Sequence, residues 1–367
     1  MTENELIATL RLQRIPGIGP VQARKLIDLA GSPAAVFTDK RFLRRGFLPE
    51  SLRNGLQDKQ FEKAARAELD WMRKEGVSCL GYRCRGFPQN LKQCADAPIA
   101  LFVRGTVDFG QGPLLAIVGT RDMTEYGRRF CQRFLEEIAP LKPIIVSGYA
   151  YGVDICAQRM ALDLGLQTIA CMAHGLDRVY PARHKRYCGP ICRNGGLISE
   201  FQSGIQPEPG LFIRRNRIIA GLCRATVVVE SGEKGGSLAT ADMAFGYDRE
   251  VFAVPGRTED LLSKGCNDLI RMQKAHLLQN AAQLARAMGW ISEESELPAR
   301  SFSLPPDLPP VDGEICRLLM ESGELELDEI AACSGKSIPE TAAALLRLEM
   351  GGLIRALAGK RYAVRRS

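Results

Sequence analysis

Short stretches of glycine, serine and arginine recur at the ends of apolar runs in this chain: VGTR at 118–121, SGYAYGVD at 147–154, AHGLD at 173–177, SEF at 199–201, ESGEKGGS at 230–237 and VPG at 254–256. Glycine and small hydroxylated residues let backbone come close to an anion. A helix that starts just after such a turn adds free N–H groups and the positive end of its dipole. Each stretch alone is ordinary turn chemistry, but their repetition, with Arg121 and Lys234 among them, reads as an anion-binding crest. Its candidate residues are Gly119, Thr120 and Arg121, then Ser147 and Gly148, then Lys234, Gly235, Gly236 and Ser237.

The phosphate could belong to a nucleotide, a substrate or a nucleic-acid backbone. No G-x-G-x-x-G follows the first apolar run, and in GEKGGS the lysine precedes the glycines, so neither a dinucleotide fingerprint nor a Walker A loop is present. No Ser–His–Asp order is evident. Asp154, Glu200 and Glu230 fall at strand ends, where a carboxylate could act as a general base, or could cap helices and pair with arginines. FIRRNR at 212–217 sets Phe212 before Arg214, Arg215, Asn216 and Arg217, while Tyr149 and Tyr151 lie in the second loop. Cations interleaved with aromatics suit single-stranded nucleic acid, charge tracking the backbone and rings stacking on bases. The plainer reading of this segment is a helix with Ile218, Ile219 and Leu222 inward and its arginines solvated.

These residues need a scaffold that brings strand ends together. Apolar runs at 114–118, 144–146, 168–172, 197–199, 226–229 and 251–254 alternate with helical stretches such as YGRRFCQRFLEEIA, GVDICAQRMALDLG and GSLATADMAFGY. Strands alternating with helices at this spacing predict a doubly wound, mostly parallel α/β sheet, whose ligands bind beyond the carboxyl ends of the strands. The predicted domain spans residues 76–287, its opening segment to about 112 packing on or extending the sheet. Residues 1–75 read as all-helical; RIPGIGP is a helix–hairpin–helix-like turn, able to face a DNA phosphate or merely to join two helices. A Pro/Ser-rich linker covers 288–310. Residues 311–367 predict three helices and a hairpin turning at Gly359–Lys360, a winged helix. Its third helix opens with a Ser337/Glu340 capping box and carries Arg347 as its one basic residue, too little charge for reading DNA bases.

Composition fits this picture. Of 367 residues, 46% are hydrophobic and 25% charged, ordinary for a globular protein, and the net charge of +7 favours an anionic partner. No apolar run approaches the roughly 18 residues that span a membrane, and the acidic, amphipathic start lacks secretory character, so a cytoplasmic protein is expected. The 12 cysteines are scattered with no C-x-x-C. His184, Cys188 and Cys192 would share a helical face, but Gly189–Pro190 is expected to interrupt it and no fourth ligand is near; no metal or cofactor is expected.

The ordered motifs IVGTR…YG, VSGYAYGVDICA, GLDRVYP, SEF, FIRRNRIIAGL, VVVESGEKGGSLATA and EVFAVPG closely resemble the DNA-processing protein A (DprA) family over about residues 75–280. The resemblance implies a non-enzymatic protein that binds and protects single-stranded DNA in natural transformation, loads the RecA recombinase and forms a homodimer through its extended Rossmann-like domain. By motif, Arg121, Ser147, Gly148, Phe212, the FIRRNR arginines and the 234–237 loop would contact the strand, with Phe212 stacking on a base. Tyr151 stands where many members carry a smaller or basic residue, so stacking would replace a phosphate contact there. RecA contact and dimerisation would fall in late segments such as 251–270. The alternative is a phosphoribohydrolase-like nucleotide enzyme with Glu230 as acid–base; the chain lacks the proline and following glutamate of that PGGxGT loop. A third possibility is an interaction scaffold with an empty crest.

Overall fold

The computed structural model describes residues 1–44, 48–292, 294, 297, 308–357 and 359–364. Two compact units emerge, 1–298 and 299–367. Most of the expected linker, and the last three residues of the basic C-terminal run, lie outside the described residues.

The first unit is built on a nine-stranded sheet ordered β1-β2-β6-β5-β4-β3-β7-β8-β9. The strands are β1 Ser78–Gly81, β2 Ala100–Gly105, β3 Leu114–Val118, β4 Ile144–Ser147, β5 Thr168–Cys171, β6 Gly195–Ser199, β7 Ala225–Val228, β8 Glu250–Ala253 and β9 His276–Leu277. From β6 to β9 every pair is parallel. β2 runs antiparallel to β6, and β1 to β2, so the segment before the first βαβ unit does extend the sheet.

Alternation along the strands feeds two cores. Leu115, Ile117, Ile145 and Val227 face one side, with helices Glu125–Ile138, Val153–Asp163 and Ala281–Ala287. Ala116, Val118, Val146 and Val228 face the other, with Pro209–Leu222, Gly236–Gly246 and Lys264–Arg271. Strands buried on both faces read as continuous apolar runs, as these do. After β6 the chain returns to the far side of β3, so winding direction reverses between β3 and β7. That junction is the topological switch point, where such sheets place their ligands.

The described residues between 3 and 75 form helices around Leu12, Ile15, Leu26, Ile27 and Leu52. Gly17, at φ +82°, turns the chain between Glu3–Arg14 and Pro20–Ala30. Ile7 and Leu10 of the first helix, with Leu69 and Met72 of Lys59–Glu75, pack against Phe102, Ala170 and Leu197 of the sheet.

The second unit has helices Pro310–Ser322, Leu327–Ser334 and Ile338–Met350 and a small sheet ordered β10 (Glu324–Glu326), β12 (Arg361–Val364), β11 (Ile354–Leu357). The Ser337/Glu340 capping box is formed. Ile315, Leu319, Ile330, Leu345 and Ile354 make its own core.

Candidate nucleic-acid interface

The loops after β3 and β7 are tied together at the switch point. The Thr120 amide donates to the Glu230 carbonyl (2.8 Å), and the Thr124 amide (2.9 Å) and hydroxyl donate to the Glu230 carboxylate. Thr124 in turn caps the helix Glu125–Ile138 by accepting from Gly127 N. Glu230 is 2% exposed, so the carboxylate an enzyme would use as a base is engaged as an anchor. Two glycines make the closeness possible. A Cβ on Gly119 would meet the Glu230 carbonyl at 2.9 Å, and Gly152, at φ +72°, would meet the Thr120 carbonyl at 2.2 Å.

On this platform Arg121 is exposed, and its guanidinium lies 5.8 Å from the centroid of the half-buried Phe212 ring. Tyr180 adds a second ring, 5.7 Å from Phe212 and tilted at 55°. Lys234, Gly235 and Gly236 are exposed in the loop that opens helix Gly236–Gly246. That helix start has no side-chain cap, and the Leu238 amide of its first turn donates to the Gly235 carbonyl (3.1 Å).

FIRRNR lies within helix Pro209–Leu222, and its basic residues divide by face. Arg214 is exposed, holds Glu200 at 3.0 Å and lies 5.0 Å over Phe201. Arg215 is buried and donates to the carbonyls of Gly148 (2.6 Å) and Cys171. Burial lowers its pKa, opposed by the Asp154 carboxylate; burial likewise raises that of Asp154, opposed by Arg215. Asn216 ties its helix to the next through the Gly236 carbonyl (3.1 Å). Arg217 is buried against Glu200. The expectation of solvated arginines in the plain helical reading therefore fails for Arg215 and Arg217, which are the internal braces of the crest.

Ser147 is fully buried and bonds the Ile117 carbonyl (2.6 Å), Gly148 makes room for Arg215 and Asp154, and Ser237 bonds Ser231 (2.9 Å). These residues position the loops and present no side chain to solvent. Tyr149, grouped with Tyr151 as a loop aromatic in the sequence, is 1% exposed; its hydroxyl donates to the His184 carbonyl (2.6 Å). Tyr151 is 41% exposed. Helix Lys185–Arg193 runs through Gly189–Pro190, contrary to the expected interruption, and sets Cys188 3.1 Å from the Tyr149 hydroxyl. Among the described residues no metal-ligating cluster is found.

The helical hairpin reaches the same region. Gly19 and Pro20 border a cavity of about 470 Å³ whose opposite wall includes Phe201 and Arg214. In the second unit, Arg347 is held by Asp312 at 2.6 and 3.1 Å, so the single cation of the third helix is committed within its own fold.

Comparison with known proteins gives the same picture. Residues 78–289 match the family model of DNA recombination-mediator protein A, and 298–360 match the DprA winged helix domain. Protein Smf of Escherichia coli is 33% identical over 314 residues, 83% of this chain and 82% of that protein. DNA processing protein DprA of Streptococcus pneumoniae is 38% identical over 198 residues, 54% of this chain and 67% of that protein. The X-ray structure of DprA from S. pneumoniae superposes with a TM-score of 0.64 at 29% identity, covering 78% of this chain and 98% of that one. A structure of DNA processing protein A from Helicobacter pylori, described for its single-stranded DNA binding mode, superposes at 0.53 and 29% identity, covering 58% and 96%. The first family model spans more than half of the chain, and the chain belongs to the DNA recombination-mediator protein A family.

Proposed function

We propose that this protein binds single-stranded DNA along the crest, protects it and hands it to the RecA recombinase, catalysing no reaction itself. The observation that carries this reading is the Arg121–Phe212 pair at the switch point, beside the exposed Lys234 loop. A ring for a base and cations with helix amides for phosphates are the components of a sequence-tolerant single-strand site. The binding mode described for the H. pylori relative supports the same assignment. In this reading Arg121, Phe212, Arg214, Lys234, Gly235 and Gly236 touch the strand, with Gly119 and Thr120 at its edge. Ser147, Gly148, Arg215, Asn216, Arg217 and Ser237 hold the loops in place. Engagement of Glu230 by Thr124 favours binding over nucleotide hydrolysis. A cytoplasmic homodimer formed through the sheet domain, and a role in natural transformation, complete the proposal.

Fluorescence anisotropy with labelled single- and double-stranded oligonucleotides across a salt series tests it. Single-strand preference that falls steeply with salt is expected, followed by faster RecA filament formation on strands already covered by a single-strand-binding protein. No binding at low salt would overturn the reading, and nucleotide hydrolysis by wild type and Glu230→Gln would then decide the enzyme alternative.

A further inference from the structure

Beside the crest lies a groove of about 410 Å³, bordered by helices Glu125–Ile138 and Val153–Asp163 and by the 182–187 segment. That volume falls within the range of roughly 300–1,000 Å³ typical of ligand sites. Arg121 and Tyr151 belong to both places. Further in, the groove collects Arg128, Arg159, Arg183 and Arg186, with Asp122 as its single carboxylate. Arg128 is partly neutralised by Glu125 at 3.5 Å. Arg159, Arg183 and Arg186 are exposed and make no ion pair among the described residues.

Aromatic rings, and no carboxylate, hold two of these cations. Arg159 and Arg186 lie 5.7 and 4.8 Å from the Tyr187 centroid. Tyr187 is followed along the groove by His184 (6.0 Å between centroids) and then Tyr151 (4.8 Å). His184 is fixed by its Nδ1 contact to the Tyr149 carbonyl (3.0 Å). A row of rings flanked by unneutralised guanidinium groups repeats the chemistry of Phe212 and Arg121. The groove floor registers this field: the neighbouring Cys131 thiol lowers the pKa of the buried Cys156 thiol, burial opposes it, and Arg128 and Arg159 lower it further.

Building on the proposed crest reading, we propose that the bound strand continues past Arg121 into this groove, where Arg159 and Arg186 hold its phosphates and Tyr151 and Tyr187 offer faces to its bases. Like-charged guanidinium groups repel one another in the free protein, and a polyanion laid among them removes that repulsion. The shared chemistry is a phosphate with an attached base, so a free nucleotide is the competing occupant.

The test compares an oligonucleotide of about 6 nucleotides, enough for the crest, with one of about 15, long enough to enter the groove. For Arg159→Glu/Arg186→Glu, affinity for the longer strand is expected to fall about 10- to 100-fold, and its salt slope by about 1.4, two phosphate contacts at roughly 0.7 each. Affinity for the shorter strand should change less than about twofold on the same electrostatic argument. Arg159→Gln/Arg186→Gln, which adds no negative charge, should follow the same pattern, and circular dichroism confirms folding. Unchanged binding of the longer strand by both folded variants would overturn the groove. Loss of both strands in Arg121→Glu, with the groove variants unaffected, would leave the crest reading standing alone. Binding of AMP that is lost in the groove variants while long-strand affinity is unchanged would assign the groove to a free nucleotide and overturn the strand path.

Discussion

The guanidinium of Arg121 lies 5.8 Å from the centroid of Phe212, joining the loop after β3 to the first turn of helix Pro209–Leu222. The two side chains come from positions 91 residues apart, and their contact makes one site from two loops. Phe212→Ala removes a stacking surface worth about 1–3 kcal/mol per base. Single-strand affinity should therefore fall by a factor between about 5 and 150 with little change in salt slope. Arg121→Glu should lower affinity and also flatten the slope by about 0.7. Anisotropy across a salt series separates these effects, and equal slopes in both variants would show that Arg121 carries no phosphate.

Arg214 and Arg217 both pair with Glu200 yet should behave oppositely. Arg217 is 7% and Glu200 2% exposed at the side chain, while Arg214 is 47% exposed. Arg217→Ala strips a buried carboxylate of its inner partner, a change that costs about 3–5 kcal/mol. Arg214→Ala removes only the half-exposed partner and leaves Glu200 paired with Arg217, so it should cost less. Urea unfolding should show a large midpoint shift for the first and a small one for the second, and DNA affinity in the folded range should fall for Arg214→Ala. Similar midpoints would mean that Arg217 is not a brace.

The fold was largely legible because strands buried on both faces are continuous apolar runs and the turns between them carry glycine. The six expected strands correspond to β3 to β8, and the glycine-rich loops proposed to hold anions follow those strands. What the sequence could not resolve was direction. Tyr149 and Tyr151 look alike two residues apart, but the backbone at Tyr149 takes φ +61° and sends its ring inward. Arg214, Arg215 and Arg217 are neighbours in FIRRNR, yet successive helical residues turn by about 100°, so one faces solvent and two face the core. The arginine groove was invisible for another reason. Its residues come from three segments whose basic character looks like ordinary solvated helix surface until the sheet brings them together.

Cysteine chemistry gives a pH-dependent reading of that groove. Burial pushes Cys79, Cys171 and Cys266 up to about 12, whereas the neighbouring Cys131 thiol, and then Arg128 and Arg159, lower Cys156 below the ordinary thiol value. The thiolate is the reacting form, so Cys156 alkylation by iodoacetamide should rise at lower pH than that of an ordinary thiol, while those three remain unreacted at neutral pH. In Arg159→Glu the rise should move to higher pH, because a cation that favours the thiolate has become an anion. Peptide mass spectrometry measures each site; an unshifted profile would show that Arg159 does not reach Cys156.

The winged helix should contribute little to strand affinity. Its third helix carries Arg347, and that cation is bound to the buried Asp312. A helix that reads DNA bases offers several free basic or amide side chains, and a phosphate contact requires an uncommitted donor. The unit has a separate core around Ile315, Leu319 and Leu345, and the crest residues all lie in the first unit. A chain ending at residue 298 should bind single strands within about threefold of the full protein and with the same salt slope, since no phosphate contact is removed. A tenfold loss with a flatter slope would place cations of this unit on the DNA. A loss with an unchanged slope would point to a change in assembly, which sedimentation of both chains would reveal.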